Sequence, residues 1–379
     1  MQLLGARIKK SLTVLQVLPA LQGGGVERGT LEVAAELVRR GHRSLVVSAG
    51  GRLLPQLLAG GSEHICWPLG RKSPSSLRYA LRLRSLLKSA QIDIVHARSR
   101  LPAWIAWLAW SSMDAAMRPR FITTVHGLYS VNAYGAVMMK GERVIAVSDV
   151  ARDYVLKHYP AVDPARLSVI YRGVDPLLYP RGFKPREAWL ADWTRRYPQL
   201  QHRYVITLPG RVGPRKGVFD FIELIAGLKH AGHDVHGLIV GEIAKRDRKL
   251  ASRLNTAAKA AGVAGAITRT GFREDIREIV SVSSAVVSLS RYPEAFGRTV
   301  NEALSLGIPV AGYDHGGVGE QLARHFPAGL VPHGDLATMT TRLAGWIAAP
   351  PGMAEVQPYT LEEMLNKTID LYQQVIAVP

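Results

Sequence analysis

The sequence has 379 residues, of which 47% are hydrophobic and 21% are charged. A chain of this length and composition can bury the cores of roughly two ordinary domains, which excludes an intrinsically disordered protein. Basic side chains outnumber acidic ones by 48 to 30, and the net charge of +18 predicts an anionic partner.

Most of the positive charge lies in the amino-terminal half. Residues 1–180 carry 24 basic and 11 acidic side chains, whereas residues 181–379 carry 24 and 19. Nucleic acid is one partner that such a charge suggests. The basic residues are dispersed, however, aromatic residues make up only 7%, and no nucleic-acid-binding signature occurs, so nucleic-acid binding is not predicted.

The chain contains one cysteine, Cys66, which excludes internal disulfides and cysteine-based metal clusters and is typical of a reducing compartment. The most apolar stretch, LPAWIAWLAW at 101–110, is about half as long as the roughly 20 residues that a membrane span needs. We therefore predict a cytoplasmic protein without a transmembrane helix.

Short apolar runs rich in β-branched residues alternate with amphipathic segments of helical period in the first half of the chain. Such alternation is typical of a parallel sheet covered by helices on both faces. The runs predicted as strands are 13–18, 44–48, 64–69, 92–97, 121–126 and 143–148.

A stretch at 176–202 has no clear period and is predicted to be the domain junction. The alternation then restarts with predicted strands at 204–210, 236–241, 266–271, 285–290 and 308–313. The predicted fold is α/β, with two doubly wound, Rossmann-like domains at 1–175 and 203–358 facing a central cleft. The last segment, 359–379, is predicted to be a helix, and packing back on the amino-terminal domain is one option for it.

Three loops that follow predicted strands carry candidate chemistry. In QGGGVERG, glycines precede a helix expected to begin near Val26, so backbone amides can approach an anion at the helix amino terminus. The spacing does not match G-x-G-x-x-G, and a simple tight turn is the alternative.

The second loop, LPGRVGPRKG, places Arg211 and Lys216 five residues apart before another helix. Both cations can converge on one diphosphate and neutralise charge on a departing phosphate. A solvated basic turn is the alternative.

The third loop lies in RYPEAFGRTVNEALSLGIPV. Glu294 lies on the loop, whereas Glu302 lies on the helix expected over 297–305. One carboxylate can then bind ribose hydroxyls and the other the sugar, while the amides at 296–299 can receive phosphate at the helix amino terminus.

Together these motifs resemble those of retaining glycosyltransferases of family 4, which have the GT-B architecture, and are similar to those of enzymes that build the bacterial lipopolysaccharide core and cell envelope. The resemblance extends over nearly the whole chain, and the motifs follow the family's order: GGGVE, TTVHG, VIAVSD, YRGVD, GRVGPRKG, PEAFGRTVNE and GYDHGGVGE. It implies an acceptor-binding first domain and a nucleotide-sugar-binding second domain.

The resemblance also implies residue roles. The residues implied in catalysis are His126 beside the transferred sugar, Arg211 and Lys216 on the diphosphate, and Glu294 on the sugar hydroxyls. The residues implied in donor binding are Gly24, Gly25, Arg211, Lys216, Gly271, Phe272, Arg273, Phe296, Gly297, Arg298, Thr299 and Glu302. Of these, Glu302 would hold the ribose, and the segment 271–274 would border the base of a UDP- or GDP-sugar.

A retaining enzyme without a positioned nucleophile would work by front-face substitution, in which the leaving phosphate accepts the acceptor proton. Double displacement through a carboxylate is the alternative. The sequence contains neither D-x-D nor H-E-x-x-H, so we expect no metal and no other cofactor.

The basic first domain is expected to hold an anionic glycolipid or lipopolysaccharide-core acceptor. The segment SSLRYALRLRSLLKSA places Leu77, Leu81, Leu83 and Leu86 on one predicted helix with Arg78, Arg82, Arg84 and Lys88, and this helix could lie peripherally on the anionic inner membrane. A helix that covers the sheet with an arginine-rich solvent face is the alternative. The alternative is another enzyme with the same fold, either a nucleotide-sugar epimerase or a sugar phosphorylase, because these also have paired α/β domains.

Overall fold

A computed structural model of the chain describes residues 11–71, 73–244, 247, 249–353 and 359–377, apart from the side chains of Pro74 and Leu77. The chain forms two compact units. One comprises Met1–Arg172 with Glu362–Pro379, and the other comprises Gly173–Leu361.

The first unit contains a seven-stranded sheet. Its strands are β1 (Thr13–Val17), β2 (Arg43–Ser48), β3 (Glu63–Cys66), β4 (Ile94–Ala97), β5 (Arg120–Val125), β6 (Arg143–Ala146) and β7 (Leu167–Val169). Its helices are α1 (Gly25–Arg39), α2 (Leu54–Ala59), α3 (Arg78–Ser89), α4 (Arg100–Ser111), α5 (Ala133–Ala136) and α6 (Asp149–His158). The strand order is β3-β2-β1-β4-β5-β6-β7 and every pairing is parallel.

The second unit repeats this plan with six strands. Its helices before, between and after the strands are α7 (Glu187–Arg196), α8 (Val218–His230), α9 (Lys249–Ala260), α10 (Ile276–Ser281), α11 (Arg298–Ser305), α12 (Gly316–His325) and α13 (Leu336–Ala348). Its strands are β8 (Tyr204–Pro209), β9 (Val235–Val240), β10 (Ile267–Gly271), β11 (Ala285–Ser288), β12 (Val310–Tyr313) and β13 (Leu330–Val331). The parallel order is β10-β9-β8-β11-β12-β13.

These sheets confirm the predicted fold class of two doubly wound α/β domains. The strand order reverses between β1 and β4 in the first sheet and between β8 and β11 in the second, and ligands of such sheets bind where the strand order reverses. Every residue of β4 and β9 is buried, as expected for strands that helices cover on both faces. The short strands β7 and β13 were not among the predicted strands, because two or three residues show no period.

The boundary between the units differs from the predicted one. The predicted junction, 176–202, contains α7 and belongs to the second unit. Val174 donates its N–H to the carbonyl of Tyr359 at 2.9 Å and accepts one from Leu361 at 2.7 Å. A Cβ atom at Gly173 would lie 2.0 Å from the Thr360 oxygen, so this close strand pairing requires glycine.

The carboxy-terminal helix α14 (Leu361–Ala377) packs mainly in the first unit. Tyr372 on α14 is fully buried, and its hydroxyl is hydrogen-bonded to Nδ1 of His96 on β4 at 2.6 Å. The other ring nitrogen, Nε2, is hydrogen-bonded to Thr124 Oγ1 on β5 at 2.6 Å. The imidazole therefore links the last helix to two central strands.

Helix α3 is the predicted basic amphipathic helix. Its apolar face, formed by Tyr79, Leu83 and Leu87, is buried in the core of the first unit. Leu81 faces the other way and is 71% exposed beside exposed arginines. The apolar face of α3 thus covers the sheet, and only its basic face with Leu81 is left for a membrane. In the part of the chain that the structure describes, no helix is both long and apolar enough to cross a bilayer.

Candidate functional site

In the second unit, the loops that follow β8 and β11 pack directly on each other. Gly217 has a φ of +68°, and a Cβ atom there would lie 1.9 Å from the Leu289 carbonyl oxygen. Arg291 donates its backbone N–H to the Arg215 carbonyl at 3.0 Å. The two loops that the sequence singled out are therefore neighbours, although more than 70 residues separate them.

The centre of this pair of loops is an ion pair between Lys216 and Glu294. Lys216 Nζ donates to Glu294 Oε1 at 2.6 Å, and Ser290 Oγ donates to the same oxygen. The other oxygen, Oε2, has no hydrogen-bond partner among the described residues. One carboxylate oxygen is thus fixed, and the other is available to a ligand.

Electrostatics keep the Glu294 carboxyl ionised. Burial by itself would raise the pKa of Glu294, but the charge of Lys216 and the hydrogen bonds from Lys216 and Ser290 outweigh it, and the pKa lies below its ordinary value. At neutral pH the group is therefore an acceptor of hydrogen bonds and a poor proton donor.

Helix α11 begins directly after this loop. Gly297 precedes it with a φ of +90°, and a Cβ atom there would lie 2.7 Å from Val318 Cγ2, so both backbone geometry and packing favour glycine. Glu302 is 5% exposed and pairs with Arg298 at 3.0 Å. The Arg298–Glu302 pair thus lies on α11, which begins four residues after Glu294.

Gln321 on α12 holds this turn through its side-chain amide, a role that no motif of the sequence indicates. Its Nε2 atom donates to the carbonyls of Phe296, of Gly297 at 3.3 Å and of Gly317 at 3.0 Å. Gly317 in turn donates its N–H to the Glu294 carbonyl at 2.8 Å. Because their carbonyls bind Gln321, these peptide groups have a fixed orientation.

A second fixed group is the buried carboxylate of Asp220 on α8. Arg291 donates to Asp220 from Nε at 2.8 Å and from Nη2 at 2.6 Å, and the Tyr313 hydroxyl is 3.1 Å from Oδ2. Burial and the Asp220 charge raise the pKa of Tyr313. The arrangement ties α8 and β12 to the loop that carries Glu294.

The segment expected to border the base is partly exposed and partly bound within the unit. Gly271 ends β10 with a φ of +73°, and Phe272 after it is 45% exposed. Arg273, however, binds both oxygens of Asp275 at 2.8 and 2.6 Å, and its guanidinium lies over the Trp193 ring. Phe272 therefore offers an exposed aromatic surface, whereas Arg273 is engaged within the unit.

Arg211 is another cation of the loop that carries Lys216. Its side chain is exposed on the loop after β8, beside buried Val212. It is an exposed cation at the carboxyl edge of the sheet.

In the first unit, the glycine-rich loop leads into α1 as predicted. The helix begins at Gly25, and a Cβ atom at Gly25 would meet no atom within 4 Å, so the backbone is open to a ligand there. At Gly24, a Cβ atom would lie 2.7 Å from the flexible end of Glu27.

His126 follows β5 in the same unit and contacts a buried arginine. Arg172 is 6% exposed, and its Nη2 atom is 3.1 Å from Nδ1 of His126. Because a guanidinium can only donate, the nitrogen that it contacts must carry a lone pair. Burial lowers the pKa of His126 well below its usual value, and the charges of Arg172 and Arg98 act in the same direction, so the ring is neutral.

Two protein-family models together match most of the chain. Residues 23–177 match the model of Glycosyltransferase Family 4, and residues 192–358 match that of Glycosyl transferases group 1. The alpha-maltose-1-phosphate synthase of Mycolicibacterium smegmatis is 28% identical over 288 residues, which are 69% of this chain and 71% of that protein.

Two solved structures are similar over nearly the whole chain. A glycosyltransferase from Rickettsia africae has a TM-score of 0.85 and 28% identity, and the match covers 98% of this chain and all of that one. Anabaena HepE, crystallised with UDP-glucose, has a TM-score of 0.81 and 18% identity, with 96% of this chain and all of that one covered.

The fold and these matches define the class of the protein: it is a glycosyltransferase with the GT-B architecture. Within that class, the chain belongs to glycosyltransferase family 4, as its motifs predicted.

Proposed function

We propose that this glycosyltransferase moves a hexose-type sugar from a UDP- or GDP-sugar to an anionic acceptor, with retention of configuration and without a metal. The observation that carries the proposal is the Lys216–Glu294 pair at the carboxyl edge of the second sheet, next to the amino terminus of α11. The UDP-glucose bound by HepE supports a nucleotide-sugar donor.

The proposed donor site uses each group according to its chemistry. The diphosphate binds Arg211 and Lys216, and the amides of the first turn of α11 donate to a phosphate. The free Oε2 of Glu294 accepts hydrogen bonds from the sugar hydroxyls, and Glu302 accepts them from the ribose. Phe272 provides an apolar surface beside Gly271 for the base.

The chemistry proposed is front-face substitution. The acceptor hydroxyl attacks the anomeric carbon on the side from which the nucleotide leaves, and its proton passes to the departing phosphate oxygen. The low pKa of Glu294 supports a role as a hydroxyl acceptor rather than as a general acid. Catalysis then rests on positioning and on charge neutralisation by Lys216 and Arg211.

The acceptor proposed is an anionic glycolipid or a lipopolysaccharide core, bound by the first unit. The support is the excess of basic residues in 1–180 and the exposed arginines of α3 beside Leu81. The phosphate in the name of the relative's product, maltose 1-phosphate, also suggests an anionic acceptor. The same basic face would bring the enzyme to the inner surface of an anionic membrane.

Binding of nucleotides tests the donor half of the proposal. UDP, GDP and ADP are titrated against the protein by thermal shift, because a ligand that binds only the folded state raises the melting temperature. Nucleotide release from UDP-glucose, UDP-N-acetylglucosamine and GDP-mannose is then followed with and without an extract of deacylated lipopolysaccharide. Release that requires the extract is expected, whereas stabilisation by no nucleotide would overturn the proposal.

Two further readouts test the chemistry. The anomeric proton of the product, observed by NMR, should show the configuration of the donor; an inverted product contradicts retention. Activity should survive a chelator, and its loss would contradict metal independence. Conversion of the donor sugar without transfer would indicate the epimerase instead.

A further inference from the structure

The first unit contains an arginine that two aromatic rings hold in place. Arg100 is the first residue of α4 and follows β4 closely, so it lies at the carboxyl edge of the sheet. Its guanidinium carbon is 4.8 Å from the ring centre of Tyr129 and 5.1 Å from that of Tyr134. Contacts with ring faces restrain the guanidinium and leave its N–H donors unused.

Two other arginines of this unit differ, because a carboxylate binds each of them. Arg43 binds Glu63 at 2.7 Å, and Arg152 binds Asp149 at 2.6 Å. Arg100 has neither a hydrogen bond nor an ion pair within 11–71, 73–244, 247, 249–353 and 359–377. Its side chain is partly exposed, so a ligand can reach the donors.

Several local contacts hold the Tyr129 ring against the Arg100 guanidinium. Gly127 allows the ring to fold back, since a Cβ atom there would lie 3.2 Å from Tyr129 Cε1. The His126 N–H donates to the Tyr129 hydroxyl at 3.3 Å, and the Tyr154 hydroxyl donates to the Tyr129 carbonyl. Tyr134 is held as well, because Trp104 Nε1 donates to its carbonyl at 3.1 Å.

Two further arginines add positive charge to the region around Arg100. Tyr129 connects Arg100 to His126, and Arg172 contacts the other side of that histidine. A Cβ atom at Gly29 would lie 3.3 Å from Arg172 Nη1 and 3.8 Å from Arg98 Nη1, so two arginines converge beneath α1. Glu32 offsets part of the charge on Arg98.

We propose that Arg100, held between Tyr129 and Tyr134, binds a carboxylate or phosphate group of the acceptor. A guanidinium with a fixed plane matches two oxygens of either anion, and such paired contacts give specificity as well as affinity. The inference rests on the proposed function, because it assigns an acceptor to the first unit. To the proposed function it adds the chemical group on the acceptor and the residue that binds this group.

Three sugars with the same ring test the proposal: glucose, glucuronate and glucose 6-phosphate. They differ only in the group at carbon 6, which is a hydroxymethyl, a carboxylate or a phosphate ester. Each is titrated into the full chain by calorimetry at constant ionic strength. UDP and GDP are present, so that anions do not compete for the donor site.

The wild type should bind at least one of the two anionic sugars roughly tenfold more tightly than glucose, and the better of the two identifies the anion. Arg100→Gln should lose that preference, with a roughly tenfold fall in affinity for the anionic sugar, and Arg100→Lys should retain part of it. A preference that survives in Arg100→Gln, or a wild type without any, overturns the proposal.

A matched control lies near the other end of the same helix. Arg118 has its guanidinium carbon 4.6 Å from the ring centre of Trp110, and it is not part of the proposed site. Arg118→Gln should keep the anion preference. Nucleotide binding separates the two proposals: if neither UDP nor GDP binds the wild type, the proposed function fails, while the sugar series still decides the role of Arg100.

Discussion

The buried carboxylate of Asp220 gives the sharpest test of how the second unit holds its loops. The side chain of Asp220 is 4% exposed, whereas that of its partner Arg291 is 60% exposed. Asp220→Asn keeps the volume and one carbonyl oxygen. It removes the charge, however, and turns an amide N–H₂ toward a donor, either the guanidinium or the Tyr313 hydroxyl.

The magnitude follows from these contacts. Hydrogen bonds to charged groups contribute about 1.5–3 kcal/mol, and breaking a fully buried ion pair costs about 3–5 kcal/mol. Because Arg291 is exposed, water can bind its N–H donors when Asp220 is replaced, so the range for hydrogen bonds to charged groups applies rather than that for a fully buried ion pair. We therefore expect the free energy of unfolding to fall by about 1–3 kcal/mol. For a domain of 150–250 residues this is a fall in melting temperature of roughly 2–4 °C per kcal/mol.

The measurement is thermal and urea unfolding of the full chain, with Asp234→Asn as the control. Asp234 is 64% exposed and pairs with Lys229 at 3.5 Å, so its replacement should cost at most about 0.5 kcal/mol. A double-mutant cycle with Arg291→Gln should show coupling above about 0.5 kcal/mol. Equal losses in Asp220→Asn and Asp234→Asn, or additive losses in the cycle, would refute the reasoning.

Four further predictions follow from the two units. Lys216→Ala should reduce turnover by about 10²- to 10³-fold, because it removes a cation at the leaving phosphate. Lys367→Ala, which breaks a 2.6 Å Lys–Glu pair on α14, should leave turnover unchanged. Equal turnover in both variants would contradict the proposed donor site. Glu302→Gln should weaken nucleotide binding in calorimetry roughly tenfold and, because it also breaks the buried pair with Arg298, should lower the melting temperature; wild-type affinity would remove Glu302 from the donor site. Burial, and to a lesser extent two nearby arginines, hold the pKa of His96 well below its usual 6.5. Below about pH 6.5 the unfolded chain therefore binds a proton at this residue that the folded chain does not bind, and stability should fall as the pH drops. In melting temperatures measured over a pH series, His96→Gln should flatten this slope, whereas exposed His230→Gln should leave it unchanged. Replacing both exposed arginines Arg78 and Arg82 by Gln should weaken co-sedimentation with phosphatidylglycerol vesicles at low salt by about fivefold per residue. Arg195→Gln and Arg196→Gln are the controls, and wild-type protein that stays in the supernatant would exclude the membrane contact.

The sequence determined the architecture and the family. Strands β4 and β9 are buried along their whole length, and largely apolar runs in the sequence indicate such burial directly. Glycine at 217 and at 297 is required by local backbone conformation and close packing, and the loop motifs around both positions are legible in order along the chain. For the same reason the segments that carry Lys216, Glu294 and His126 could be placed at strand ends.

The tertiary structure alone decided how these groups are paired. The Lys216–Glu294 and Asp220–Arg291 pairs each join positions more than 70 residues apart, and no periodicity records which carboxylate a cation meets. The orientation that Gln321 imposes, the rings that hold Arg100 and the packing of α14 through Tyr372 are likewise products of the folded chain. A periodic pattern reports whether a side chain is buried, whereas its partner depends on which strand ends the sheet order brings together.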